Sequence, residues 1–191
     1  MYHWSDASAK EREAAKAAYL ASLPDLLRRF EVRSAASGGP QLKDGVAALP
    51  DLIRWFGAEL PRADSPDGPL PTWWNPATPL RGEPNAEPRM QLSRGQLALI
   101  DETAAFLAQI LLDARPDVRW VIYRGSRSDI RNGATWLAVG PRPTFKGDRT
   151  TLSPRTLFYK LAKLVLDDPA VVSNPEESLW SVRGFLAEPE R

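Results

Sequence analysis

Residues 93–139, SRGQLALIDETAAFLAQILLDARPDVRWVIYRGSRSDIRNGATWLAV, decide the fold class. Ser93 and Gln96 have capping-box spacing: the hydroxyl serves the N3 amide and the amide side chain reaches back. Leu97, Ile100, Ala104, Leu107 and Leu111 then recur at helical spacing, and Phe106 and Ile110 widen the stripe. Asp113 to Asp117 (DARPD) stops the helix. Val118–Arg124 and Thr135–Val139 are rich in β-formers, and the intervening GSRSDIRNG is turn chemistry, so a 118–124/135–139 hairpin is expected. Two strands alone are marginal. Phe30–Arg33 or Ala170–Val172 could supply a third.

Outward from this unit, the N-terminal segment reads as helix. Ser5 or Asp6 can cap it, and Ala14, Ala15, Ala18, Tyr19 and Leu23 form its stripe. Pro24 is expected to end or kink it, with a second helical piece carrying Leu26, Leu27 and Phe30. Residues 34–45 read as loop, and a helix follows from about Pro50 to Glu59. ASLPDLLRRF (21–30) and AALPDLIRWF (47–56) match at seven of ten positions. Proline followed by aspartate suits a helix start, so the match reads as shared local chemistry. A repeat array would need about three copies. Ser153-Pro154 opens another helix, with Leu157, Phe158, Leu161, Leu164 and Val165 inward. Asn174-Pro175 opens the last, with Leu179, Trp180, Val182, Phe185 and Leu186 apolar. The expected fold is α+β, about five helices packed on a small antiparallel sheet.

The 191 residues, 43% of them hydrophobic, fit a single domain. Its parts are a helical portion over 1–60, a Pro/Trp-rich loop over 61–92, and a helix–hairpin–helix–helix portion over 93–191. Eight of the 18 prolines fall between Pro61 and Pro88, which excludes helix there. A loop of that length is functional or a linker, and Trp73 and Trp74 call for cover. They could form a stiff docking peptide or flap, or fold back as a minor core. The 19 arginines against 6 lysines and the 25 alanines look like a GC-rich genome's codon bias.

Several chemistries are excluded by residue type. With no cysteine there is no disulfide scaffold and no thiolate metal or redox site. The single histidine, His3, leaves no other base for a His-based triad and no His-rich metal site. No Gly-rich phosphate loop, Gly-x-Ser-x-Gly or His-Glu-x-x-His motif occurs. No apolar stretch approaches the ~18 residues of a membrane span. The N-terminus lacks an apolar signal region, so a cytoplasmic location without membrane association is expected. Asp101 with Glu102, or Asp64 with Asp67, could serve as an acid and a base; their plainer reading is exposed helix and turn acids.

Charge is more informative. Between Arg119 and Lys163 lie ten Lys/Arg and two acids, a net +8, while the rest of the chain carries −7. Trp120, Tyr123, Trp136, Phe145, Phe158 and Tyr159 are interleaved with these cations. Cations for phosphates and rings for stacking are what a single-stranded nucleic-acid surface needs. The alternatives are a solvated face with its aromatics turned inward, a face complemented by the chain's own acids, or a site for an acidic protein. The tip residues Arg124, Arg127 and Arg131, with Arg142, Lys146 and Arg149, form the candidate binding face. Trp73 and Trp74 are a second candidate.

The order Ala105-Phe-Leu-Ala-Gln-Ile-Leu on a helix, Val118-Arg-Trp-Val on a strand, a second strand and a helix starting at proline resembles small uncharacterised actinobacterial proteins. In these a Tyr/Phe-Leu-Gly-x-x-Leu helix precedes a Gly-x-Arg-Trp strand, an order shared by some immunity-type and surface-accessory proteins. The resemblance spans about residues 95–165, with Ala108 and Asp117 where glycine is usual. It implies a strand anchored on a helix by Arg119-Trp120, and no catalytic residue. The expectation is a non-enzymatic, cofactor-free and metal-free binding or accessory protein, immunity-like, with a protein partner. A nucleic-acid-binding protein using the basic aromatic face 119–163 is the alternative, and an enzyme of unrecognised type the third.

Overall fold

Three serines open the long helices. Ser8, Ser93 and Ser153 each accept from the N3 amide through the side chain, and Glu11 and Gln96 close full capping boxes on the first two. The computed structural model describes residues 7–74, 78–81, 92–124, 132–140 and 150–187. In chain order these form α1 (Ala9–Ser37), a 3-10 stretch (Leu42–Ala48), α2 (Leu49–Arg62), α3 (Arg94–Ala114), β1 (Arg119–Ile122), β2 (Thr135–Ala138) and β3 (Thr151–Leu152). Then come α4 (Pro154–Asp167), a 3-10 turn (Pro169–Ser173), α5 (Pro175–Ser178) and α6 (Trp180–Ala187). The α+β class stands, with α5 and α6 dividing the expected last helix.

α3 is the central helix, with α1, α2 and α4 packed around it. It is buried on nearly every side, which its almost unbroken apolar sequence anticipates. Phe30 of α1 stacks on Phe106 of α3 at 4.1 Å, and Phe56 of α2 meets Phe158 of α4 at 4.9 Å. Gly95 lets the first turn of α3 approach the chain leaving α2: its N–H donates to the Ser65 carbonyl at 3.0 Å. A Cβ there would lie 3.1 Å from that of Ser65.

The sheet order is β1-β2-β3, antiparallel throughout, with Trp120 opposite Leu137 and Leu137 opposite Leu152. Neither expected third strand is one. Phe30 to Arg33 lie within α1, where Phe30 follows helical spacing from Leu26 into the core. Ala170 to Val172 form a 3-10 turn started by Pro169 and capped by Asp168. The third strand is instead Thr151–Leu152, too short to show a pattern.

Pro24 does not end α1. The helix runs through it, at the loss of the hydrogen bond its missing N–H would have made to Leu20. The expected loop at 34–45 therefore begins only at Gly38, in the left-handed conformation (φ 71°) suited to a helix C-cap. In the duplicated segments, Leu26 and Phe30 match Leu52 and Phe56, and all four are buried. The pairs Asp25–Arg28 and Asp51–Arg54, at 2.7 and 2.8 Å, also correspond. What repeats is local chemistry, placed mid-helix in α1 and at the first turn of α2.

Four positions expected on apolar helix stripes are exposed. Leu164 and Trp180 are exposed, Trp180 at 72%. On the N-terminal half of α1, Tyr19 is buried but Ala14 and Ala18 are exposed.

Candidate functional site

The two acids of α3, expected at the surface, lie inside: Asp101 is 7% and Glu102 2% exposed. A helix apolar on every side leaves its acids no wet face, so each requires a partner. Arg33 of α1 reaches Glu102 at 2.9 Å. Trp73 donates its indole N–H to Asp101 at 2.9 Å. Burial raises the Asp101 carboxyl above the ordinary aspartate value, opposed by the charge of Arg155 and by the indole bond. Asp101 and Glu102 are thus anchors of a polar seam between α1, α3, α4 and the Pro/Trp segment.

Tyr19 closes this seam from α1. Its ring meets Trp120 edge-on at 5.3 Å, and the Arg155 guanidinium lies 4.0 Å above its centroid. Its hydroxyl is buried without a hydrogen-bond partner among the described residues. Burial raises the phenol far above its usual pKa, so it stays protonated. Trp73, Trp74 and Tyr159 pack against one another with centroids 6.0–6.3 Å apart. Trp73 and Trp74 are therefore core, not exposed docking rings: each indole has an internal acceptor, Asp101 for one and the Thr78 carbonyl for the other. A further clamp escaped the sequence reading. Arg115, paired with Asp117 at 2.8 Å, donates to the carbonyls of Phe185 and Leu186 and ties α6 to the end of α3.

Of the candidate cations, Arg124 is described and exposed at the end of β1. Arg127, Arg131, Arg142, Lys146 and Arg149 lie outside the described residues. Arg124 lines a recess of about 270 Å3 with Ile122 and Asn132 of the hairpin and Ala9, Arg12 and Glu13 of α1. The described aromatics of the basic segment point inward: Tyr123, Trp136 and Phe158 are buried, Trp120 and Tyr159 partly so, while Phe145 lies outside the described residues. Arg33–Glu102, Arg54–Asp51, Arg62–Glu59, Arg81–Asp64 and Arg183–Glu176 are ion pairs outside the basic segment. Among the described residues no carboxylate lies within ion-pair distance of Arg124, Lys160 or Lys163.

Among the described residues no helix is long and apolar enough to cross a membrane. No three acids or histidines among them gather as metal ligands. Neither the family models, nor the curated proteins, nor the solved structures compared with this chain give a match.

Proposed function

We propose that this is a non-enzymatic binding protein, immunity-like in character, whose basic segment 119–163 recognises an acidic protein partner without a cofactor. The observation that carries the reading is that Arg124, Lys160 and Lys163 have no carboxylate in ion-pair distance among the described residues, while acids elsewhere are engaged by arginines outside the segment. Desolvated or paired charges contribute little to steering, whereas solvated unpaired ones set an attractive field for an oppositely charged partner. The inward aromatics favour protein over nucleic acid. Single-strand recognition uses rings on which bases stack, and Tyr123, Trp136 and Phe158 are covered. The buried placement of Asp101 and Glu102 also supports structural anchoring over acid–base work, since each is held by an internal donor.

Fluorescence-polarisation titrations test this with labelled oligoglutamate and with single- and double-stranded oligonucleotides, at about 50 and 200 mM salt. The expected result is salt-sensitive oligoglutamate binding that is lost in the Arg124/Arg127/Arg131→Ala variant. Tighter binding of an oligonucleotide would transfer the segment to nucleic acid. No binding of any polyanion at low salt would remove the reading.

A further inference from the structure

The two edges of the sheet are treated differently. β3 is buried, and α6 packs against it. β1 is open: Arg119 is exposed and Trp120, Val121 and Ile122 are only half-buried. Which of its backbone groups face outward follows from the ladder. Tyr123 donates its N–H to the Ala134 carbonyl at 2.8 Å, so Tyr123 points toward β2. On the far side, Val139 donates to Thr150 at 3.0 Å, so Val139 points toward β3. Direction alternates along a strand. Both bonds therefore give one result in the register Trp120–Leu137 and Ile122–Thr135: Arg119 and Val121 face β2, while Trp120 and Ile122 face away. Among the described residues, no group bonds to the outward N–H and C=O of Trp120 and Ile122.

From this placement we propose that the β1 edge accepts an extended acidic segment of the partner protein as an added strand. The inference rests on the acidic-partner reading and gives it a binding mode. Strand addition takes affinity from main-chain bonds and specificity from pockets for alternate side chains. The pairing groups are those of Trp120 and Ile122. The pocket is the recess beside Ile122, lined by Arg124 and Asn132 of the hairpin and by Arg12 and Glu13 of α1; Arg124 is its exposed cation, and Glu13 is paired with Lys16 at 3.9 Å. Arg124, exposed just beyond the strand, sets the sign of the incoming charge, and Arg119, engaged with the Gly140 carbonyl, adds a second cation at the other end. They also oppose a second copy of this chain as occupant, since two β1 edges paired antiparallel would bring Arg119 of one copy toward Arg124 of the other.

The test uses the whole protein and a labelled ten-residue peptide alternating glutamate with valine or threonine. Two controls carry N-methyl groups on the pairing face or lysine for glutamate. N-methylation and lysine replacement are each expected to weaken binding by about tenfold or more. Arg124→Glu, at an exposed position, should weaken the acidic peptide by about tenfold and favour the lysine peptide. Amide exchange followed by NMR should slow at Trp120 and Ile122 when the peptide binds. If the N-methylated peptide binds equally well, strand addition is wrong while the acidic-partner reading stands. If neither this peptide nor oligoglutamate binds at low salt, both fall. A dimer in sedimentation that protects the same two amides would give the edge to a second copy and overturn the acidic-segment proposal.

Discussion

Replacing Tyr19 by phenylalanine should stabilise the protein. At most buried tyrosines the sign is opposite, because the hydroxyl has a partner whose loss costs about 1 kcal/mol. Here the hydroxyl is buried and unpartnered among the described residues, and an unsatisfied buried polar group costs about 1–3 kcal/mol. Phenylalanine keeps the ring, hence the edge contact with Trp120 and the Arg155 guanidinium stacked above it. The space left by one oxygen, ~10 Å3, subtracts only about 0.2 kcal/mol at ~24 cal/mol per Å3. The expected net gain is about 1 kcal/mol. Urea unfolding followed by tryptophan fluorescence measures it. With a slope of about 2–3 kcal/mol per M, the midpoint should rise by about 0.4 M. In a chain of this size Tm should rise by about 2–4 °C. Tyr19→Leu serves as control and should destabilise, since it removes both ring contacts. A Tyr19→Phe variant less stable by about 1 kcal/mol would refute the reasoning, by showing that the hydroxyl is bonded.

Three further substitutions probe the seam and the packing. Asp101→Asn keeps an acceptor for Trp73 and removes a carboxylate whose folded pKa burial has raised. The folded state then holds the proton more tightly than the unfolded one, so ionisation erodes stability as pH rises from about 4 through the raised value. The variant should be more stable than the parent at pH 7, with the difference vanishing near pH 3, as read from urea midpoints across pH. Arg115→Ala leaves the Phe185 and Leu186 carbonyls without their donor, and should cost about 2–4 kcal/mol and speed amide exchange in α6. Gly57→Ala places a Cβ 2.6 Å from a Val172 methyl, so thermal melts should show a loss of about 1–3 kcal/mol, largely recovered in Gly57→Ala/Val172→Ala.

What the sequence revealed was mostly local chemistry. The capping box at Ser93, the Ser153-Pro154 start and the hairpin around 119–138 are each written in a few adjacent residues, and each is present. Pro24 misled because a proline's penalty is one missing bond and a steric adjustment, which the tertiary anchors Tyr19, Leu26 and Phe30 on either side outweigh. β3 was unreadable because two residues carry no period. The burial of the acids follows from the pattern around them. In LALIDETAAFLAQILL the pair Asp101-Glu102 interrupts a helix with no polar face, so no rotation of that helix keeps both in water. Their partners could not be read, because Arg33 lies 69 residues away and Trp73 lies 28 away, in a proline-rich segment with no period.

The seam and the open edge meet at Trp120, which connects the structural role of the buried charges to the proposed interface. Trp120 gives its ring to Tyr19 on the α1 side and leaves its own N–H and C=O outside the β1–β2 ladder. Charged, short edge strands commonly guard against unwanted pairing, and a four-residue strand that begins at Arg119 and is followed by Arg124 fits that description. A guard made only of arginines is asymmetric, however. It repels cationic strands and a second copy of itself, yet offers an acidic strand two favourable ends and the recess beside Arg124. Protection and recognition then differ only in the charge of the incoming segment. Arg124→Glu tests both. It should reverse which peptide the edge accepts. Because antiparallel self-pairing sets Arg119 of one copy near position 124 of the other, it should also weaken the guard against a second copy.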